Sequence, residues 1–500
     1  MTISNFSAIK QWTLKRATKT TLNAVCVAVF AVASFVPAHT AFANSDTLEV
    51  GFAQESITPV IDNPAEPIWI AGFGQNRKAE SVHDDLWARA VALSDGKTRG
   101  VIVALDAIGF MHNDIMDIRS AVQNELNLDF VIIASTHDHE APDLIGIWGP
   151  SLFKSGVNQK YLNLVKSQCA KAIRAAVAKL EPAFVMRAEI PNVGRDVLVD
   201  TRLPEVFDAN VRYLRFISAA SSQTLGTLVT WANHPEVLWN TNTAITSDFV
   251  HYLREGIESG ITYNGSAIRN GTGGTVVFVN GAVGGLMTTL DDTPVVDRIL
   301  NQVLLTPSFE KARTVGYRVA TAVLDAIDSQ AEVQMAAPAL NWRSRSILLP
   351  VDNVKFRVAA MLRIIRRKFE KGFKTRSEVG LLKLGDTWIG TIPGELYPEI
   401  ANGGIETPEG NDFKLTEPVE VPALRTIMKG SMNMLFGLAN DQIGYIIPKS
   451  QWDEKAPFTY NDKPYGEENS LGPQTAPLIH NALSSLLSEA FQAEQSSDHQ

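Results

Sequence analysis

From about residue 44 to 490 the chain alternates short apolar runs of strand length with amphipathic stretches of helical period. That is the pattern of an α/β protein whose sheet is covered on both faces. Four of the runs stop abruptly at polar residues. Phe130–Ala134 leads into Ser135-Thr-His137-Asp-His139-Glu-Ala-Pro142, and Leu228–Trp231 into Ala232-Asn-His234-Pro235. Val276–Val279 leads into Asn280-Gly-Ala-Val-Gly-Gly285, and Trp388–Ile392 into Pro393-Gly-Glu395. The reading is a large mixed-sheet α/β domain with helices packed on the sheets and a site at the carboxyl ends of its strands. No internal repeat interrupts it.

The strand ends carry the candidate chemistry. In open α/β sheets ligands collect just beyond the carboxyl ends of the strands. If the four strands lie side by side, His137, His139, His234 and Glu395 meet in one crevice. Two imidazoles and a carboxylate form an open zinc site with room for water. His137 and His139 are two apart and face the same way in extended chain, so one can bind metal while the other handles protons. A lone histidine is usually a hydrogen-bonded structural residue, and Pro-Gly-Glu is equally a solvated turn; the set of four is what points to function. The chain has no G-x-S-x-G, H-E-x-x-H, G-x-x-x-x-G-K-[ST] or paired C-x-x-C motif. Gly271-Thr-Gly-Gly274 lacks the spacing of a dinucleotide fingerprint and reads as a close-approach turn.

Composition narrows the class. The 500 residues are 45% hydrophobic and 20% charged, which excludes a disordered chain and a polytopic membrane protein. A net charge of -9 argues against a nucleic-acid partner. Residues 1–43 contain Lys10, Lys15, Arg16 and Lys19, no acidic residue, an apolar run from Leu22 to about Val36, and then Ala41-Phe-Ala43. This reads as a secretory signal, its apolar run of about fifteen residues falling short of the roughly 20 that span a bilayer. The protein is therefore expected to be exported, periplasmic or secreted. Removal of this segment takes Cys26 with it and leaves Cys169 alone, a buried structural thiol in this reading.

With these segments in view, the chain resembles the neutral, non-lysosomal ceramidase family over about Leu48 to Pro473, its catalytic domain without the β-sandwich domain that follows in typical members. The likeness lies in Ala71-Gly-Phe-Gly74, Val82-His-Asp-Asp-Leu-Trp-Ala-Arg-Ala90, Ala134-Ser-Thr-His-Asp-His139, Trp231-Ala-Asn-His-Pro235, Ile392-Pro-Gly-Glu395 and Asn440-Asp-Gln-Ile-Gly-Tyr445. The resemblance implies a zinc-dependent amidohydrolase that splits the N-acyl bond of ceramide or a related lipid amide with zinc-activated water. It places zinc ligands at His137, His234, Glu395 and Tyr445, an acid/base at His139, and substrate-facing groups at Arg195 and Tyr465. Two departures matter. The family's serine position falls on Gly285, and Glu140-Ala-Pro142 with Trp148 alters the pocket mouth. Two rival readings follow: a hydrolase of the same architecture acting on another amide or ester, and an exported module that binds lipid or metal without catalysis.

Asn353–Ser377 holds nine basic residues and one acidic, Glu370, interspersed with apolar side chains near helical spacing. It reads as a basic amphipathic helix inserted in the domain, able to contact an anionic membrane; a helix packed on the core with its charges in solvent is the competing reading. Residues 491–500 are polar and read as a disordered tail.

Overall fold

Runs in which odd and even positions are both apolar have two faces to hide, and here they become strands covered on both sides. The computed structural model describes residues 46–290, 292–460 and 464–497; the targeting segment expected at 1–43 lies outside them. Eight strands form the main run of the large sheet: β1 (Leu48–Ser56), β2 (Trp87–Ser94), β3 (Arg99–Leu105), β4 (Phe130–Ser135), β5 (Glu181–Ile190), β6 (Val211–Ser218), β7 (Thr224–Trp231) and β8 (Thr275–Asn280), and a ninth, the two-residue Val333–Gln334, pairs with β5 off that run. The order along the run is β8-β7-β6-β5-β1-β2-β3-β4. Pairing is antiparallel through the middle and parallel at the two edges, β3 with β4 and β7 with β8. A second sheet joins β9 (Leu340–Pro350), β10 (Lys374–Leu384), β11 (Thr387–Thr391) and β12 (Met432–Phe436), with β11 and β12 parallel.

Side chains sort by parity along these strands. In β4, Phe130, Ile132 and Ala134 face the second sheet, where they share a layer with Met432, Met434 and Phe436 of β12. Val131 and Ile133 face the opposite way, onto α1 (His112–Val122) and α2 (Gln159–Val177). In β8, Val277 and Val279 join the inter-sheet layer, while Val276 and Phe278 pack under α3 (Phe249–Glu258) and α4 (Phe309–Asp328). After α5 (Val354–Met361), the last helix, α6 (Thr475–Ser497), covers the outer face of the second sheet through Ile479, Leu483, Leu486 and Leu487. The large mixed sheet with helices packed on it matches the α/β fold expected from the sequence; the layering of helix, sheet, sheet and helix is what the structure adds. Cys169 is buried in the layer between α2 and the sheet.

Three expectations change. The four polar-ended strands are not side by side: β7 and β8 are neighbours, β4 is at the far edge, and β11 belongs to the other sheet. By strand sense β7 and β8 run opposite to β4. The sheet curls round so that β8 packs against β2, β3 and β4, and the carboxyl ends of β4, β7 and β8 come together at one rim. Asn440 then bridges the two sheets, its N–H donating to Ile133 O at 2.7 Å and its Oδ1 accepting from Ile133 N at 3.1 Å.

The basic segment 353–377 is not one amphipathic helix. Asn353 caps α5, the helix ends at Met361, and β10 starts at Lys374. Arg363 takes a left-handed conformation (φ 58°), and Ile364 and Ile365 turn into the core. Arg366 donates to Asp114 (3.0 Å) and Gln159 (2.9 Å), and the buried Arg367 holds both oxygens of Asp441 (2.8 and 3.0 Å). A buried carboxylate demands a paired cation, and that demand breaks the helix. The tail is also shorter than expected, since α6 continues to Ser497.

Arg367→Ala should cost about 3–5 kcal/mol, because it leaves Asp441 buried without its partner. Lys371→Ala, at an exposed site, should stay within about 0.5 kcal/mol. Denaturant titration measures both, and equal small effects would contradict the assignment of Arg367 to the interior.

Candidate metal centre

Each donor is placed by the turn just beyond a strand. After β4 the chain bends so sharply that His137 adopts a left-handed conformation (φ 70°), uncommon for any residue but glycine. The amides of His137 and Asp138 fix the bend by donating to Ala107 O at 3.0 and 3.1 Å. His234 follows β7. Glu395 follows β11, and the pair Glu395–Leu396 runs parallel to Tyr445–Ile446 with Glu395 opposite Tyr445, so carboxylate and phenol leave on the same side. Asn280, at the end of β8, staples the rim: its Nδ2 donates to Thr136 O (3.0 Å) and Asn233 O (2.8 Å).

The donor atoms converge. His137 Nδ1 donates to Ile108 O at 2.6 Å, which leaves Nε2 with its lone pair free. That Nε2 is 3.3 Å from Glu395 Oε2 and 3.4 Å from His139 Nε2. His234 Nε2 is 3.6 Å from the same glutamate oxygen, whose twin accepts from Gln442 Nε2 at 2.8 Å. Ligands bonded to zinc at about 2.0–2.1 Å in a tetrahedron stand about 3.3–3.4 Å apart, so these separations match edges of one coordination shell. His137, His139 and His234 each offer a nitrogen within 4.8 Å of the other two, and all three are buried. Neither ring nitrogen of His234 has a hydrogen-bond partner among the described residues. Orphaned buried nitrogens beside a carboxylate form a donor set that can bind a metal ion.

Electrostatics agree. Burial, helped by the neighbouring imidazoles, holds His139 well below the usual histidine range, and burial also lowers His234; both are neutral at pH 7, as ligation or proton acceptance requires. Burial alone would raise Glu395, but His137 and His234 hold its carboxyl well below the ordinary value. Behind His139, Glu236 Oε2 stands 3.1 Å from Nδ1 without the alignment of a hydrogen bond, and the Phe73 ring packs against the imidazole with centroids 5.2 Å apart. Gly72, at φ 99°, must be glycine, since a Cβ there would lie 2.6 Å from the His139 ring.

The ring of donors opens into a cavity of about 970 Å³ with largely apolar walls, including Ile108, Met111, Ile145, Phe356 and Ile365. Of the residues expected from sequence, His137, His139, Glu395, Tyr445 and Tyr465 line it. Burial, reinforced by Glu395, keeps the Tyr445 phenol well above its usual pKa and therefore protonated; its ring centroid is 6.0 Å from that of Tyr465. Arg195 is not brought to the cavity. It stands half-exposed with its guanidinium 3.3 Å over the Phe207 ring and 3.8 Å from Glu205 Oε2. Gly285 has φ 77° and lies where a Cβ would be 3.1 Å from the Tyr397 ring, so the backbone there disfavours the hydroxyl that the resemblance would place at this position. Glu236, Gln442 and Asn280 were missed as site residues. Glu236 and Gln442 lie within two or three residues of expected ligands, and that proximity was the only signal they gave.

No protein-family profile matches the chain, and no curated protein matches it significantly. Solved structures do. The neutral ceramidase from Pseudomonas aeruginosa superposes with a TM-score of 0.67 at 15% identity, over 89% of this chain and 75% of that one. A ceramidase complexed with C2 gives 0.67 at 14% identity, over 89% and 76%. What this chain shares with them at such identities is the fold.

Zinc affinity, read by competition with a chromophoric chelator, should fall about 10–100-fold in Gln442→Ala through loss of the Glu395 support. His137→Ala should lower it further. Unchanged affinity in His137→Ala would remove that imidazole from the centre.

Proposed function

We propose that the chain is an exported zinc-dependent hydrolase that cleaves the N-acyl bond of a lipid-like amide, ceramide or a relative of it. The observation that carries this reading is the convergence of His137, His234 and Glu395 at ligand spacing, with His137 and Glu395 lining an apolar cavity and His234 buried behind them. The fold shared with two ceramidase structures supports the choice of substrate class. The signal segment 1–43, the domain limits 44–490 and contact of 353–377 with an anionic membrane belong to the same proposal. No helix among the described residues is long and apolar enough to cross a membrane.

In this reading His137, His234 and Glu395 hold the ion, with Tyr445 beside Glu395 completing the set. Zinc bound there supplies Lewis acidity and a water whose pKa falls to about 7. His139 takes a proton at Nε2 and returns it to the departing amine, while Glu236 beside Nδ1 favours the required tautomer. Tyr465 donates a hydrogen bond to the oxyanion that develops at the scissile carbonyl. Arg195 is too far from the cavity wall to share that task in the conformation described. The apolar walls hold the acyl chain and exclude water, which strengthens each of these polar interactions. Gly285 favours a second reading, in which the same machinery acts on another amide or an ester.

Zinc-loaded protein should release fatty acid from a panel of N-acyl-sphingosines. His139→Ala should cut turnover about 10²–10⁴-fold with zinc content unchanged, whereas loss of zinc in that variant would make His139 a ligand. Turnover of ester probes alone would favour the second reading. Inert zinc-loaded protein would contradict hydrolysis altogether.

A further inference from the structure

Helix α5 has no buried residue, and its only polar side chains, Lys355 and Arg357, pair with Glu468 and Asp352. Phe356, Ala359 and Ala360 lean on the small cluster of Ala71, Ile108, Met111, Ile145 and Ile365. The opposite stripe, Val354, Val358 and Met361 with the capping Leu362, repeats at i, i+4, i+7 and i+8 and faces solvent, with Val354 at 65% and Met361 at 61% exposure. An apolar stripe on the outer side of a helix whose inner side already packs on the protein suits a second apolar environment. Across the cavity mouth the chain makes a tight turn closed by a bridge between Ser151 and Lys154. Its tip carries Leu152 and Phe153, 67% and 80% exposed. Both elements line the same cavity, and the chain leading into the turn touches the segment that follows α5, since a Cβ at Gly146 would strike Ile364 O. Neither feature contributes to the core or to the donor ring.

Around this apolar rim sit exposed cations. Lys154, Arg363, Lys368 and Lys371 make no ion pair among the described residues, although the whole chain carries a net charge of -9. Of the other cations in 353–377, Lys355, Arg357 and Arg376 pair at the surface with Glu468, Asp352 and Glu370, while Arg366 and Arg367 reach the buried Asp114 and Asp441.

We propose that the Leu152–Phe153 tip and the outer stripe of α5 dock the protein on an anionic lipid bilayer, seating the cavity mouth in the interface so that an acyl chain passes from membrane to donor ring without crossing water. The apolar tip and stripe enter the boundary between headgroups and acyl chains, and the unpaired cations meet the headgroup charge. The docking deepens the lipid-amide reading and rests on it for the choice of occupant. It replaces a cationic helix face with a two-part apolar rim.

Cosedimentation of the purified chain with vesicles of phosphatidylcholine, alone or with one quarter phosphatidylglycerol, tests this without turnover. Binding should favour the anionic vesicles and weaken with added salt. Leu152→Asp/Phe153→Asp should lower partitioning about a hundredfold on both compositions. Arg363→Glu/Lys371→Glu should lower it about tenfold on anionic vesicles only. Val354→Asp/Met361→Asp provides an independent disruption of the rim should the first variant fold poorly, as judged by circular dichroism. Wild-type binding in both apolar variants, or no binding of the parent chain to either vesicle, overturns the proposal. A dimer that forms through the tip in place of vesicle binding does so too, by giving the rim to a second copy. Vesicle binding by a zinc-loaded but inert protein would sink the hydrolase reading and leave the docking standing.

Discussion

Packing three imidazoles and a carboxylate together away from water is unfavourable unless something binds them, since each buried polar group left without a partner costs about 1–3 kcal/mol. His234 is buried with both ring nitrogens unpartnered, and His137 Nε2 faces Glu395 and His139 at 3.3–3.4 Å. A divalent cation resolves all of these at once. Much of the surrounding architecture can be understood as holding that arrangement: the left-handed turn at His137, the Asn280 staple across three strand ends, and the Gln442 amide that fixes one Glu395 oxygen so that the other points inward.

The support extends into the basic segment. Arg367 holds the Asp441 carboxylate and donates as well to the carbonyl of Gln442, whose side chain steadies Glu395. The chain that forms the rim of the cavity is thus tied through one buried guanidinium to the donor ring on its floor. The rim and the floor of the cavity share a covalent and hydrogen-bonded path, which gives the insertion a structural reason for its arginines apart from any surface role.

The strands and their polar ends could be read along the chain, because fully apolar runs have no alternative to burial on both faces and the chemistry follows them directly. Their relative placement could not. That His137 and His234 meet depends on a sheet that curls until its two edges touch and on a second sheet laid against it, neither of which leaves a local mark at Phe130–Ser135 or Thr224–Trp231. Charge pattern was misleading in 353–377, where the spacing of apolar residues suggested one helix but Asp114 and Asp441, remote in sequence, drew Arg366 and Arg367 inward. Glu236 was passed over for a similar reason: it matters through His139, which is close in space and distant along the chain. Arg195, matched only through a resemblance, found Phe207 and Glu205 as neighbours instead.

The central claim is that these side chains form one coordination shell. X-ray absorption at the zinc edge of the loaded protein tests it most directly. The account predicts one ion with at least two imidazole nitrogens at about 2.0–2.1 Å and carboxylate oxygen at about 2.0–2.2 Å. A zinc surrounded by oxygen alone, or a chain that retains none, would contradict it.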